Sequence, residues 1–253
     1  MINLESIFNE EDLFPKTFTK YEETDFGLLF YNDKNKLSYD SNHALIYKNK
    51  IENLNDVLES ITLFYKQKNT KPIIYESMND TGYFLENKFI FEQHGYNVWS
   101  DGPYSLMLLQ ADNKIKLKNN LEIKLVTDWD QRIADDICVP SDETHEIEVI
   151  KQSIANKNHR VFLAFNGEKA VAITYFHISN LNCCRFDYII VSKNERKNGF
   201  ARELLSYVTD YCRKNRIENC FQWPAHKTSE SICYEAGFRH VKSINPGRAS
   251  YNN

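Results

Sequence analysis

The chain has 253 residues, 42% hydrophobic and 26% charged, with 31 Lys and Arg against 35 Asp and Glu for a formal net charge of −4. This is the composition of a folded globular protein, which excludes disordered, fibrous and collagen-like classes, and the acidic balance lacks the basic field that sequence-independent nucleic-acid binding needs. No run of 18 apolar residues exists to span a bilayer, and Met1-Ile2-Asn3-Leu4-Glu5 lacks the basic start and apolar stretch of a secretory leader, so no membrane partner and a cytoplasmic address are expected.

The length admits one large domain or two small ones. In chain order, residues 28–31 and 44–47 read as strands, 54–68 as an amphipathic helix and 72–76 as a strand. A helix over 84–94 stops at Gly95, and a strand follows at 105–109. The polar run 112–120 is poor in core residues and is the natural boundary between an N-terminal domain, 1–115, and a C-terminal domain, 120–253. Beyond it, 121–126 alternates as a strand, Thr127 or Asp128 can cap a short helix to Ile137, and 143–155 places Ile147, Ile150 and Ile154 at helical spacing.

Two apolar runs, 160–165 and 171–178, flank Asn166-Gly167-Glu168-Lys169, where Asn-Gly signals a hairpin. A strand at 184–191 precedes a four-turn helix from Gly199 to Asn215 striped by Leu204, Leu205, Val208 and Tyr211. Then come a short strand at 220–223, a helix over 229–236 ended by Gly237 and a strand at 238–244, giving the order β-α-α-β-β-β-α-β-α-β. The first half repeats some of these landmarks. Residues 64–69 echo 210–215, and Gly95-Tyr96 echoes Gly237-Phe238, as a decayed internal duplication would; any α/β half could also produce such echoes.

Six cysteines, at 138, 183, 184, 212, 220 and 233, contain no Cys-x-x-Cys pair and no His spacing for a tetrahedral zinc site, so no metal is expected and they read as reduced, mostly core thiols. Strand neighbours such as Cys183 and Cys184 point to opposite faces.

The chemistry concentrates between Ile189 and Leu205. An apolar strand ends at Val191, a polar turn follows, and small residues at 199 and 201 open a helix. Such a junction presents unpartnered backbone N–H groups beside the positive end of a helix dipole, which makes an anion site. Gly199 removes the β-carbon that would block a phosphate, Ala201 keeps the next turn narrow, and Arg196 and Lys197 add charge-assisted contacts.

Val191 followed by Arg-x-x-Gly-x-Ala at 196–201 is similar to the coenzyme A signature of the GNAT superfamily of N-acetyltransferases, and 229–238, Ser-Glu-Ser-Ile-Cys-Tyr-Glu-Ala-Gly-Phe, resembles that superfamily's closing helix-Gly-Phe motif. The resemblance covers about half of the chain. It implies an α/β (α+β) fold with a mixed, mostly antiparallel central sheet and helices on both faces, and it leaves open whether the N-terminal half is a degenerate copy or an unrelated α/β domain. It further implies acetyl-CoA as co-substrate, with Ile189 and Val191 lining the pantetheine arm and Arg196, Lys197, Asn198, Gly199, Phe200 and Ala201 cradling the pyrophosphate. His226 stands where many relatives have Asn, near that arm.

An alkyl ammonium, with a pKa near ~10, must lose a proton before it attacks a thioester, so a base or a water relay is needed. The two-residue period of a strand puts Asp187 on the face of Ile189 and Val191, which makes it the leading candidate, with Glu143, His145, Glu146 and Glu148 as alternatives. The resemblance implies a Tyr as general acid four residues before Gly237, but Cys233 occupies that place and Tyr234 stands beside it. The expected function is transfer of an acetyl or other acyl group to the primary amine of a small molecule or peptide. A non-catalytic acyl-CoA sensor or protein-interaction module is the alternative. An aminoacyl or peptidyl transferase on tandem copies of the fold is disfavoured by the intact 196–201 segment. The N-terminal half has Lys50-Ile51-Glu52-Asn53 at the corresponding helix start and is expected to bind no cofactor.

Overall fold

The computed structural model describes residues 3–100, 102–179, 183–187 and 189–252. The chain forms two compact units, one of Asn3–Tyr104 with the segment from Ser243 onward, the other of Ser105–Lys242. The division therefore does not fall at 115–120. The strand expected at 105–109 hydrogen-bonds in the second unit's sheet, and the last strand, Arg248–Tyr251, in the first unit's.

In the first unit, α1 (Leu4–Leu13) starts at Asn3, whose side chain accepts the Glu5 amide. A mixed sheet contains β1 (Lys20–Glu23), β2 (Gly27–Tyr31), β3 (Ala44–Ile46), β4 (Ile73–Glu76) and β5 (Tyr96–Trp99), with Arg248–Tyr251 between β4 and β5. Helix α2 (Leu54–Gln67) buries Leu54, Val57, Leu58, Ile61 and Tyr65 at helical spacing. The helix expected at 84–94 is two short ones, α3 (Tyr83–Glu86) and α4 (Lys88–Gln93), because the Asn87 side chain bonds the Tyr83 carbonyl at 2.8 Å and competes with the helical ladder.

The second unit's sheet runs β13-β6-β12-β10-β9-β8-β7, where β6 is Tyr104–Leu109, β7 Glu122–Val126, β8 His159–Asn166, β9 Lys169–Ile178, β10 Cys184–Phe186, β12 Cys220–Gln222 and β13 Phe238–Ile244; β11 (Ile190–Val191) pairs with β9. The last strand of the chain is β14. The short helix expected to run to Ile137 is a π-helix, Ile133–Cys138, preceded by an Asp130–Arg132 ion pair. It and α5 (Glu146–Ala155) pack against β8, β9 and β11. Helix α6 (Phe200–Lys214) covers the other face with Phe200, Leu204, Leu205, Val208 and Cys212 against Phe162, Ala172, Phe176 and Phe186. Each fully buried apolar side chain there contributes about 1.5–3 kcal/mol.

Helix α7 (Lys227–Ala236) ends at Gly237, whose φ of +104° is left-handed and whose carbonyl accepts from both Gln110 and Ala111. A β-carbon at Gly237 would sit 2.1 Å from the Ala111 oxygen. Gly237→Ala is expected to destabilise the fold by about 2–4 kcal/mol, seen as a lower urea midpoint at constant m.

Both units share one pattern. In each, two parallel neighbours (β3 with β4, β10 with β12) lead to an antiparallel strand distant in sequence, β14 or β6. In each, the long helix closes with the same five-residue bond, Thr70 to Tyr65 and Ile217 to Cys212, through a left-handed Asn69 or Arg216. A left-handed glycine, Gly95 or Gly237, then turns into a fully buried aromatic, Tyr96 or Phe238.

Candidate functional site

Strand 184–191 has different partners along its two edges. On one edge it pairs with β9 at Cys184–Phe186 and again at Ile190–Val191; on the other, among the described residues, it pairs with β12 at Cys184↔Cys220 and Arg185↔Phe221. Beyond that rung no further β10–β12 pair is formed among the described residues, and the two parallel strands part. In the first unit, by contrast, β3 stays paired with β4 up to its last residue, at Ile46↔Glu76.

The same strand carries a bulge. Phe186 lies opposite Phe176 and the Asp187 amide bonds the Tyr175 carbonyl at 3.0 Å, yet Ile190 lies opposite Ile173 and Val191 opposite Ala172. One extra residue is thus inserted between 187 and 190, and such a slip exchanges faces. The expectation that Asp187 shares a face with Ile189 and Val191 is corrected: Ile189 and Val191 pack against the α6-side core, while Asp187 is on the side of Arg185 and His177.

Beyond Val191 the backbone makes a tight turn at Lys193–Glu195, then passes through a left-handed Lys197 (φ +69°) and a left-handed Gly199 (φ +88°) into α6. No side chain caps this 15-residue helix, so its first amides are presented outward. A β-carbon at Gly199 would meet only Asn119 Nδ2, at 3.8 Å, leaving the approach open. Arg196, Lys197 and Asn198 are exposed, Phe200 is buried and anchors the helix start, and Ala201 is half-buried. Arg196 Nε donates to the Val191 carbonyl at 3.3 Å, tying the turn to the end of the strand.

The residues named for proton transfer are not brought together. Asp187 pairs with Arg185 at 3.3 Å, both side chains 13% exposed. Next to Arg185 across the sheet stand His177 and His159, rings 4.9 Å apart, and burial, then His177 and Arg185, push the His159 pKa down to about 3, so that imidazole is neutral. Cys233 is a core thiol in contact with Gln222, its pKa raised to about 12 chiefly by burial, which makes it a poor proton donor. Tyr234 is 55% exposed, with the Arg239 guanidinium 4.1 Å above its ring. His226 is the N-cap of α7: its Nδ1 accepts the Ser229 amide and its own amide donates to Ser229 Oγ. That reciprocal cap satisfies two backbone donors at the helix start. Among the alternatives, Glu146 is buried, with Oε1 3.3 Å from His145 Nε2 and Oε2 lacking a hydrogen-bond partner among the described residues.

The acetyltransferase (GNAT) family profile matches residues 126–237, which hold the parted strands, the bulge and the uncapped helix start. This part of the chain is a GNAT acetyltransferase domain. Solved structures extend the likeness over the whole chain. A GCN5-related N-acetyltransferase from Kribbella flavida aligns with a TM-score of 0.67 at 10% identity, covering 100% of this chain and 97% of its own. A functionally unknown conserved protein from Staphylococcus epidermidis aligns at 0.64 and 14% identity, covering 98% and 100%. A GCN5-related N-acetyltransferase-like protein from Streptococcus suis reaches 0.52 at 10% identity over 89% and 83%. At such identities the likeness is one of fold, and it includes the N-terminal half, whose fold is GNAT-like as well. No curated protein matches the sequence.

Three residues of the GNAT domain escaped sequence reasoning. Arg185, two residues before Asp187 on the same strand face, was legible from the period of two alone. Asn119 and Glu203 were not. Glu203, 4% exposed in the first turn of α6, accepts from the amides of Lys118 and Asn119 and from Asn119 Nδ2, which also donates to the Asn198 carbonyl. The polar run 112–120 is therefore not a solvated linker but is fastened to α6, with Asn113 Nδ2 on Ser206 Oγ at 2.6 Å as a further tie. Among the described residues, no helix is long and apolar enough to cross a membrane.

Proposed function

We propose that the GNAT domain transfers an acetyl group from acetyl-CoA to the primary amine of a small molecule or peptide. The observation that carries this reading is the left-handed Gly199 at the uncapped start of α6, where the approach to the first amides of the helix is open. Five consecutive amides from Lys197 to Ala201, with the Arg196 and Lys197 side chains, would hold the pyrophosphate, and the open space before Gly199 fits a phosphate. Ile189 and Val191 would line the pantetheine arm. Bound acetyl-CoA supplies the thioester; the protein's own part is to hold it, exclude water and take up the amine's proton.

For that proton the reading assigns Asp187, which stands on the sheet face opposite the α6-side core. Arg185 fixes its carboxylate in place. Cys233 and Tyr234 drop out as acids, one for its raised pKa and the other for its surface position, so the leaving thiolate takes its proton from solvent. Asp187→Asn is expected to lower kcat about 100-fold with the KM for acetyl-CoA unchanged, as loss of a general base does.

The unbroken β3–β4 pairing and the absence of an Arg-x-x-Gly-x-Ala segment support a first unit without a donor site. Calorimetric titration with acetyl-CoA should therefore give one site per chain, and two would refute this part. A sensor function is the second reading, favoured by the missing Tyr at position 233. Thiol release from acetyl-CoA across a panel of amines separates the two, because a sensor binds the thioester and releases nothing.

A further inference from the structure

Three of the six cysteines, scattered in sequence, meet in space. Cys184 on β10, Cys212 on α6 and Cys220 on β12 bring their sulfurs within 4.8 Å of one another. Exposures are 0%, 0% and 2%. The surroundings are apolar, with Phe176, Phe186 and Phe238 in the same core cluster. Cys184 and Cys220 face each other as the first rung of the β10–β12 ladder; one rung later, at Arg185↔Phe221, that ladder ends and the strands part. The thiols thus stand at the vertex of the cleft.

A donor set of three thiols is soft, and among the described residues no fourth His, Cys, Asp or Glu joins it. Zinc would require a fourth ligand, and burial leaves no water to supply one. A monovalent d10 ion is content with three sulfurs in a plane. Arg213 is a positively charged neighbour of both Cys212 and Cys220.

We propose that Cys184, Cys212 and Cys220 form a three-coordinate thiolate site for Cu(I) at the vertex of the cleft. Binding forms Cu–S bonds only: each thiol that ligates releases its proton to solvent, and neither copper nor sulfur changes oxidation state. The resulting negative charge is offset in part by Arg213. Because the ligands come from two strands and a helix, the ion would fasten the root of the parted strands. The site is independent of the acyl-transfer reading and stands or falls without it.

The test uses the full-length reduced chain under anaerobic conditions, titrated with Cu(I) in competition with the chelator bathocuproine disulfonate. One copper per chain is expected to be retained, with thiolate-to-copper charge-transfer absorption in the near ultraviolet and a rise in Tm, since the folded state alone holds the site. Cys212→Ser should lose the copper, whereas Cys138→Ser, which removes a buried cysteine outside the cluster, should keep it. X-ray absorption on the wild-type protein reads the ligand count without any variant: three sulfur neighbours support the site, while two sulfurs or a nitrogen or oxygen neighbour overturn it. Failure of the wild type to hold copper against the chelator, or equal retention by Cys212→Ser, also overturns it.

Discussion

Gly199→Glu is expected to weaken acetyl-CoA binding by more than about 100-fold, equivalent to about 2.7 kcal/mol, while far-ultraviolet circular dichroism stays unchanged. Two effects add. A φ of +88° costs a side-chain-bearing residue about 1–2 kcal/mol, strain that the loop can relieve only by turning its amides away. A carboxylate at this position also accepts the free amides at the start of α6, occupying the anion site with the protein's own charge and repelling a diphosphate. Steric conflict is not the cause, since the nearest atom to a β-carbon is Asn119 Nδ2 at 3.8 Å. Gly199→Ala, with the strain but without the charge, should lose much less. The measurement is calorimetry on all three proteins, and an unaltered Kd for the glutamate variant would remove the basis of the proposed donor site.

The second large effect belongs to the first unit. Asp12 on α1 is 6% exposed, accepts from Ser77 Oγ at 2.6 Å and the Met78 amide at 3.0 Å, and burial raises its pKa from 3.8 to about 7. A carboxyl whose folded pKa exceeds its unfolded one binds its proton more tightly when folded, so its contribution is complete below about pH 4 and is lost as pH rises through about 7. At one pKa unit per 1.36 kcal/mol, stability is expected to drop by up to about 4 kcal/mol across that window. Asp12→Asn, which keeps an acceptor for Met78 and cannot ionise, should flatten the decline. Urea midpoints at pH 5 and pH 8 for both proteins check this; an equal slope in the variant would show that another group is responsible.

Most of the second unit was readable from periodicity because its elements are long and one-sided: the α6 stripe, the Asn-Gly hairpin between β8 and β9 and the Gly237 turn each carry a local signal. What stayed hidden is non-local. The bulge between Asp187 and Ile190 depends on register against β9, which no pattern of two can reveal, and it moved the leading base to the other face of the sheet. The Glu203 clasp on Asn119 joins residues 84 apart, and the meeting of Cys184, Cys212 and Cys220 depends on three elements packing together. The capping role of His226 was not legible either, because a histidine opening a helix looks the same in sequence whether it caps or binds. The short strands β1, β5 and β14, of four residues each, carried too little pattern to register.

The placement of β14 between β4 and β5 has a consequence for synthesis. A ribosome delivers β1 to β5 early, yet the gap in that sheet can be closed only by residues 248–251, made after the whole acetyltransferase domain has emerged. Until then, facing edges of β4 and β5 have open backbone groups, a sticky intermediate of the type that nascent chains must shield. Completion of the first sheet thereby waits for residues made after the second unit, and a chain cut short after Ile244 would hold every strand of the second sheet but leave the first unfinished.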